Sequence, residues 1–310
     1  SAARARSSSV AMEARDMGPP YGAAARCADD PFGRAACRPA AGTVARVALA
    51  LYLPDGDRLV PTELTGGPWS PEAQHGGAVA ALLARAVEAV PAPVAMQTLR
   101  LTVELLRPVP LRPLQTLTTV PRPGKRVQLV EASVMEGETE VARARALRIR
   151  SAPVPVPDQP ELLDYGPEPA AGAPLSIEGH LEHASFLRAV DFRFVRGSGD
   201  TVGPATAWAR LRVPVVPGEE PSPLQRTAAA ADFGNGISRV VDFSTHTFIN
   251  PDLTVSLSRP PVGEWVGLDM VTRLSPDGYG QAESLVFDRL GPVGRAVQSL
   301  IIDRRSREGP

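Results

Sequence analysis

Apolar residues recur at Val79, Leu82, Leu83, Val87 and Val90. That is the spacing of one face of an α-helix and predicts a helix over 76–90. Downstream, the stretches 99–106, 114–120, 127–135 and 140–149 have strand character, and their order predicts an antiparallel meander following the helix. Upstream, 47–59 predicts an early strand or hairpin. The second half reads in the same order, with strands over 191–195 and 206–213 before a helix. Ser222, Pro223 and Gln225 stand there as N-cap, first-turn proline and capping-box partner, and Gly234 and Gly236 end the element after Phe233. One helix wrapped by a strongly curved antiparallel sheet, twice over, is an α+β arrangement, and the small residues Ala228 to Ala231 let a sheet approach closely.

The two halves are copies. Leu101-Thr102-Val103-x-Leu105-x-Arg107-Pro108 returns as Leu253-Thr254-Val255-x-Leu257-x-Arg259-Pro260, a shift of 253 − 101 = 152. The same shift places Glu131 on Glu283, Arg143 on Arg295 and Ala144 on Ala296. Between the copies, prolines at 153, 155, 157, 160, 167, 169 and 174 mark 151–185 as a linker. The expected organisation is an arm over 1–43, a first domain over 44–150, the linker over 151–185 and a second domain over 186–306.

Composition narrows the function. In 310 residues, 43% hydrophobic, there is enough apolar material for a core in each copy. The 33 basic residues against 34 acidic ones leave no global positive field, which argues against a nucleic-acid partner. No apolar run approaches the roughly 20 residues that span a bilayer. Both cysteines, Cys27 and Cys37, fall in the arm, so the fold has neither a disulfide framework nor a zinc cluster to draw on, and a reducing cytoplasm is the expected compartment. The arm is rich in Ala, Arg, Ser, Gly and Pro and is expected to be disordered. A signal peptide is the rival reading, but no apolar segment of roughly 7–15 residues follows the arginines.

Gly67-Pro68-Trp69-Ser70 and Gln74-His75-Gly76-Gly77 lead into the first helix, and the second half carries Ala231-Asp232-Phe233, Asn250-Pro251-Asp252, Ser258-Arg259-Pro260 with Glu264-Trp265, and Val297-Gln298. In order, these stretches resemble the acyl-CoA thioesterase II group of the hot-dog thioesterase superfamily, over about 45 to 305. The resemblance implies a tandem double hot-dog, each copy with a central helix wrapped by a curved antiparallel sheet. It also implies thioester hydrolysis by a water that an Asp, a hydroxyl residue and a Gln of the C-terminal domain orient. Matched residue by residue, the Asp is Asp232 and the Gln is Gln298. The middle position is Asn250, an amide in place of the hydroxyl, still able to hydrogen-bond a water or a carboxylate.

The duplication singles out the same residues independently. Subtracting 152 sets Gln298 against Ala146, Asn250 against Thr98 and Asp232 against Ala80, so the first copy lacks the carboxylate and the terminal amide. Polar groups needed only for folding would be expected in both copies. Asp232 also stands near the C-terminal end of its helix, where the dipole disfavours a negative charge by about 0.3–1 kcal/mol. The structural alternatives are a cap for the Gly234-Asn235-Gly236 turn, a satisfied buried amide at Gln298 and a turn former at Asn250.

His75, Gly76 and Gly77 at the first helix start, and His246 on the strand leading to Asn250, are the candidate substrate-binding residues. A helix N-terminus can polarise a thioester carbonyl, although His75 serves equally as a helix cap. With no G-x-S-x-G elbow and both cysteines in the arm, a covalent serine or cysteine route is disfavoured. No metal or cofactor is called for. The expected partners are acyl-CoA or an acyl-carrier-protein, with Arg107 and Arg259 as possible phosphate contacts against a plainer role as strand-end charges. Unpaired sheet edges predict a homo-oligomer. Two rivals stand: a non-catalytic acyl-binding protein, and a hot-dog hydratase or dehydratase, which the absence of a histidine near Asp232 in the sequence ranks last.

Overall fold

The computed structural model describes residues 49–156 and 185–305. The arm with its two cysteines and most of the proline-rich linker lie outside those residues. Among the described residues, the first half runs β1 (Tyr52–Asp55), β2 (Arg58–Pro61), α1 (Gly76–Ala89), β3 (Met96–Leu105), β4 (Gln115–Pro123), β5 (Val127–Glu136) and β6 (Thr139–Arg150). The second runs β7 (Val190–Arg196), β8 (Ala205–Leu211), α2 (Pro223–Ala231), a four-residue turn α3 (Gly234–Ile237), β9 (His246–Ile249), β10 (Asp252–Leu257), β11 (Val266–Leu274), β12 (Tyr279–Asp288) and β13 (Gly291–Arg304).

The expected helix and four strands of the first half form within three residues of the bounds read from the pattern, but they are not a simple meander: β4, β5 and β6 pair in succession while β3 pairs with β6 and not with β4. The early segment is a hairpin, β1 on β2, forming its own two-stranded sheet. In the second half the glycines do not simply end the helix. After α2 closes at Asp232, Gly234 and Gly236 sit inside α3, whose C-cap is Ser238. Gln225 gives half of the expected capping box: its N–H donates to Ser222 Oγ at 3.1 Å, while its side-chain amide turns to Glu88 at 2.9 Å.

The remaining strands form one sheet of eleven, with neighbouring strands antiparallel, in the order β4-β5-β6-β3-β10-β13-β12-β11-β8-β7, and with β9 paired to β13. The copies join where β3 meets β10, so an edge that each half would expose is closed by the other half. Strand burial alternates along β5 and β13, as expected for a sheet with one covered face. That face carries α1 and α2, which pack on each other as well as on the sheet.

The alanines of both helices serve this helix–helix contact. Ala78 to Ala81 and Ala228 to Ala231 are all buried. The approach is closest at Gly77, where a Cβ would stand 2.7 Å from the carbonyl oxygen of Ala229, so only glycine fits. Each helix start is thereby set against the other's end, and this crossing builds the site.

Candidate functional site

Two different local rules deliver the residues to one point. His75 is the N-cap of α1, and its Nδ1 lies 3.0 Å from the Gly77 N–H. Asp232 closes α2, and a carboxylate at a helix C-terminus is unfavourable there unless donors surround it. They do. Asn250 Nδ2 donates to Asp232 Oδ1 at 2.8 Å, Gln298 Nε2 donates to the same oxygen at 3.3 Å, and His75 Nδ1 stands 3.0 Å from Oδ2. Hydrogen bonds to a charged group contribute about 1.5–3 kcal/mol each, so these contacts outweigh the dipole penalty. Asp232 is 4% exposed.

His75 Nδ1 thus stands 3.0 Å from both the Gly77 nitrogen and Asp232 Oδ2. A ring nitrogen has one in-plane site, so as a bare nitrogen it accepts the Gly77 N–H and as an N–H it donates to the carboxylate. The ring packs at a tilt against Phe186 and Phe233, with centroids 4.8 and 4.6 Å away, and those two rings stack on each other at 5.4 Å.

Supporting bonds hold the set rigid. Gln298 Nε2 also donates to the backbone oxygen of Asp232 at 3.1 Å, and its Oε1 accepts the Asn235 N–H at 3.1 Å. It thus pins the junction of α2 and α3 from the strand behind. Asn250 sits in the break between β9 and β10 and donates a second bond to Asp252 O at 3.1 Å. Gly76 is obligatory for close approach, since a Cβ there would stand 2.7 Å from Asp232 Oδ2.

The site opens into a cavity of about 480 Å3 walled by both halves. His75, Gly76, Asp232 and Asn250 line it; Trp69, Val79, Leu105, Phe243, Ile249 and Ile301 make much of the rest apolar. Gln298 does not line it and reaches it only through Asp232. His246 is likewise not among the lining residues: its Nδ1 pairs with Thr245 Oγ1 at 2.8 Å. Arg107 lines the cavity, whereas Arg259 is committed to Asp288 at 2.5 and 2.8 Å, which favours its plain structural role.

Sequence reasoning missed two things. The His75–Asp232 contact joins residues from different copies, so neither proximity along the chain nor the repeat could show it. The comparison of Asp232 with Ala80 also changes, because the helix N-caps are offset by 222 − 75 = 147, which sets Asp232 against Arg85. The strand comparisons keep the offset of 152, as in the pairing of Thr254 with Thr102.

The profile of the acyl-CoA thioesterase N-terminal domain matches residues 65–149, and that of the acyl-CoA thioesterase C-terminal domain matches 157–302. The chain belongs to the acyl-CoA thioesterase family. As a member it is a thioester hydrolase. Its solved structural relatives carry the hot-dog fold. A protein of Novosphingobium aromaticivorans described as a candidate thioesterase aligns at 20% identity and TM-score 0.64 over 82% of this chain and 99% of its own. A hot-dog protein of Alicyclobacillus acidocaldarius aligns at 16% identity and TM-score 0.63 over 82% and 96%. The acyl-CoA thioesterase II of Mycobacterium marinum aligns at 16% identity and TM-score 0.57 over 80% and 98%. None of the curated proteins matches the sequence. Among the described residues no helix is long and apolar enough to cross a membrane, and no group of side chains is arranged to hold a metal ion.

Proposed function

We propose that this thioesterase cleaves acyl-CoA or acyl-carrier-protein thioesters by direct attack of a water held on Asp232 and Asn250, with Gln298 as a positioning residue behind Asp232. The observation that carries the reading is the buried Asp232 carboxylate, ringed by His75, Asn250 and Gln298 at the end of an apolar cavity. Asp232 takes the proton of the attacking water, and His75, with Nδ1–H donating to Oδ2, keeps the carboxylate aligned. The tetrahedral oxyanion forms at the start of α1. Among the described residues no acceptor is bonded to the Gly76 N–H, and Gly76 lines the cavity at the positive end of a helix dipole. Gly76 and His75 border the substrate path, whereas Gly77, a candidate from the sequence, is taken up by the contact with Ala229 and does not line the cavity. His246 stays outside this arrangement.

The halves 44–150 and 186–306 are read as two hot-dog units in tandem, each with its central helix on the shared sheet, and the exposed edges at β4 and β7 support a homo-oligomer. A panel of acyl-CoAs of different chain length, with thiol release followed by a thiol-reactive dye, tests the reaction. Hydrolysis of at least one member at a rate that Asp232→Asn abolishes is the expected result.

The His75–Asp232 contact favours one second reading. A hot-dog hydratase needs an Asp–His pair, and the ground for ranking it last was the lack of a histidine near Asp232 in sequence; tertiary structure supplies one. Incubation with an enoyl-CoA separates the two: loss of the conjugated double bond without thiol release would replace hydrolysis with hydration.

A further inference from the structure

Two arginines of the cavity, Arg107 and Arg239, have no part in the water-holding set, and of these Arg239 is the buried one. Arg239 lies two residues beyond α3, lines the cavity, and is 7% exposed. Its Nη1 donates to Gly199 O at 2.6 Å and its Nη2 to Asp200 O at 3.0 Å. Phe243 covers the guanidinium, with 5.3 Å from Cζ to the ring centroid, and Phe243 itself packs on Trp69 of the first half at 5.5 Å. Among the described residues no carboxylate forms an ion pair with it.

A guanidinium has five N–H donors. Two are spent on the carbonyls, the buried Nε–H has no partner, and two remain on the Nη atoms. The carbonyls supply dipoles and no counter-charge, and a buried cation without one is costly. Tethering the loop between β7 and β8 does not by itself require that cost, because the Arg239 backbone oxygen already accepts the Gly203 N–H at 2.7 Å. Arginine beside an aromatic face is well suited to a planar or multi-oxygen anion, since its fork donates two bonds at once.

We propose that Arg239 anchors an anionic group of the substrate, so that the cavity selects thioesters carrying a carboxylate or phosphate within reach of this residue. The inference rests on the thioesterase reading and adds a specificity-determining residue to it. The shared chemistry is an oxyanion, which comes either from an acidic acyl group or from the phosphates of the CoA half.

Binding to uncleavable thioethers tests this without turnover. Three probes are titrated by calorimetry against the full chain: S-octyl-N-acetylcysteamine, which is neutral; its ω-carboxy counterpart; and S-octyl-CoA, which carries phosphates. Arg239→Met should weaken one anionic probe by about 10–100-fold, the loss expected when a charged hydrogen-bond donor is removed, while the neutral probe stays within about twofold. Loss confined to the carboxylate probe places the anion on the acyl group; loss confined to S-octyl-CoA places it on the phosphates. Arg239→Lys keeps the charge and should restore a large part of the binding. The neutral probe, in the same sample, reports the competent fraction, so partial unfolding cannot imitate the result. Equal weakening of all three probes, no weakening of any, or a wild-type protein that prefers no anionic probe would overturn the proposal. Thiol release by the wild type, measured separately, decides the thioesterase reading, and its absence would leave the three affinities free to judge Arg239.

Discussion

Thr102 and Thr254 occupy the same position of the repeat and face each other across the β3–β10 pair, with their hydroxyls 3.3 Å apart. Around this point the neighbours exchange places, Leu101 pairing with Val255 and Val103 with Leu253, which makes the junction a local two-fold. The helices follow the same relation. The start of α1 meets Asp232 at the end of α2, and Ser222 at the start of α2 meets Glu88 near the end of α1, its Oγ donating at 2.6 Å. The first pole opens into the cavity. At the second, Arg148 donates to the Val87 and Val90 carbonyls at the end of α1 and to Gln128, closing it with a side chain.

Asp232→Asn keeps the shape of the side chain and removes its charge. A fall in kcat of about 10²–10⁴-fold is expected, with the melting temperature unchanged or slightly raised. Gln298→Ala should act in the same direction, and the double variant should lose far less than the sum of the single losses, because both act on one carboxylate. Thiol release and thermal unfolding of the three variants check this. Wild-type kcat in Asp232→Asn would remove Asp232 from the mechanism.

His75 has two roles that substitution can separate. Asparagine can accept the Gly77 N–H as a cap but has no imidazole N–H to donate to Asp232. His75→Asn should therefore keep stability to within a few tenths of a kcal/mol and lose activity, whereas His75→Ala should also lose about 0.5–2 kcal/mol. Full activity in His75→Asn would reduce the residue to a cap.

At the closed pole, Arg148→Met should lower stability by about 1–3 kcal/mol, since it leaves helix-end carbonyls without donors in a buried place. Burial holds this guanidinium below its ordinary pKa, with the charge of Glu88 opposing the shift. Urea unfolding reads the loss. The kcat of the folded fraction should match wild type, because the second pole takes no part in the reaction.

Asp288 gives a pH signature. Burial raises its pKa, but the Arg259 guanidinium and the Val262 and Leu290 N–H groups more than reverse this, leaving it below the ordinary carboxylate value. A depressed folded pKa stabilises the protein above the unfolded value, about 3.9, and the contribution is lost as pH falls through the folded value. Asp288→Asn should therefore be less stable than wild type at pH 7, with the gap closing on acidification below about pH 4. A gap of constant size down to acid denaturation would show that the charge of Asp288 contributes nothing.

The sequence by itself determined the elements, because helix and strand are written in local periodicity and in caps such as Ser222 and Pro223. It also determined the repeat, since Leu101 to Pro108 and Leu253 to Pro260 are the same words 152 residues apart, and it set Asp232 and Gln298 apart by their absence from the first copy, with Asn250 marked by the family resemblance. Tertiary structure decided how these combine. The 147-residue offset of the helix starts differs from that of the strands because the connections before β3 and β10 differ in length, and no periodicity reports that. Crossing of α1 on α2 at Gly77 brought His75 to Asp232 from the other copy, put Gln298 behind the carboxylate, left His246 outside and turned Arg239 into the cavity. Each is a contact between segments far apart in the chain, set by how two buried helix faces pack, and such contacts exist only once the chain has folded.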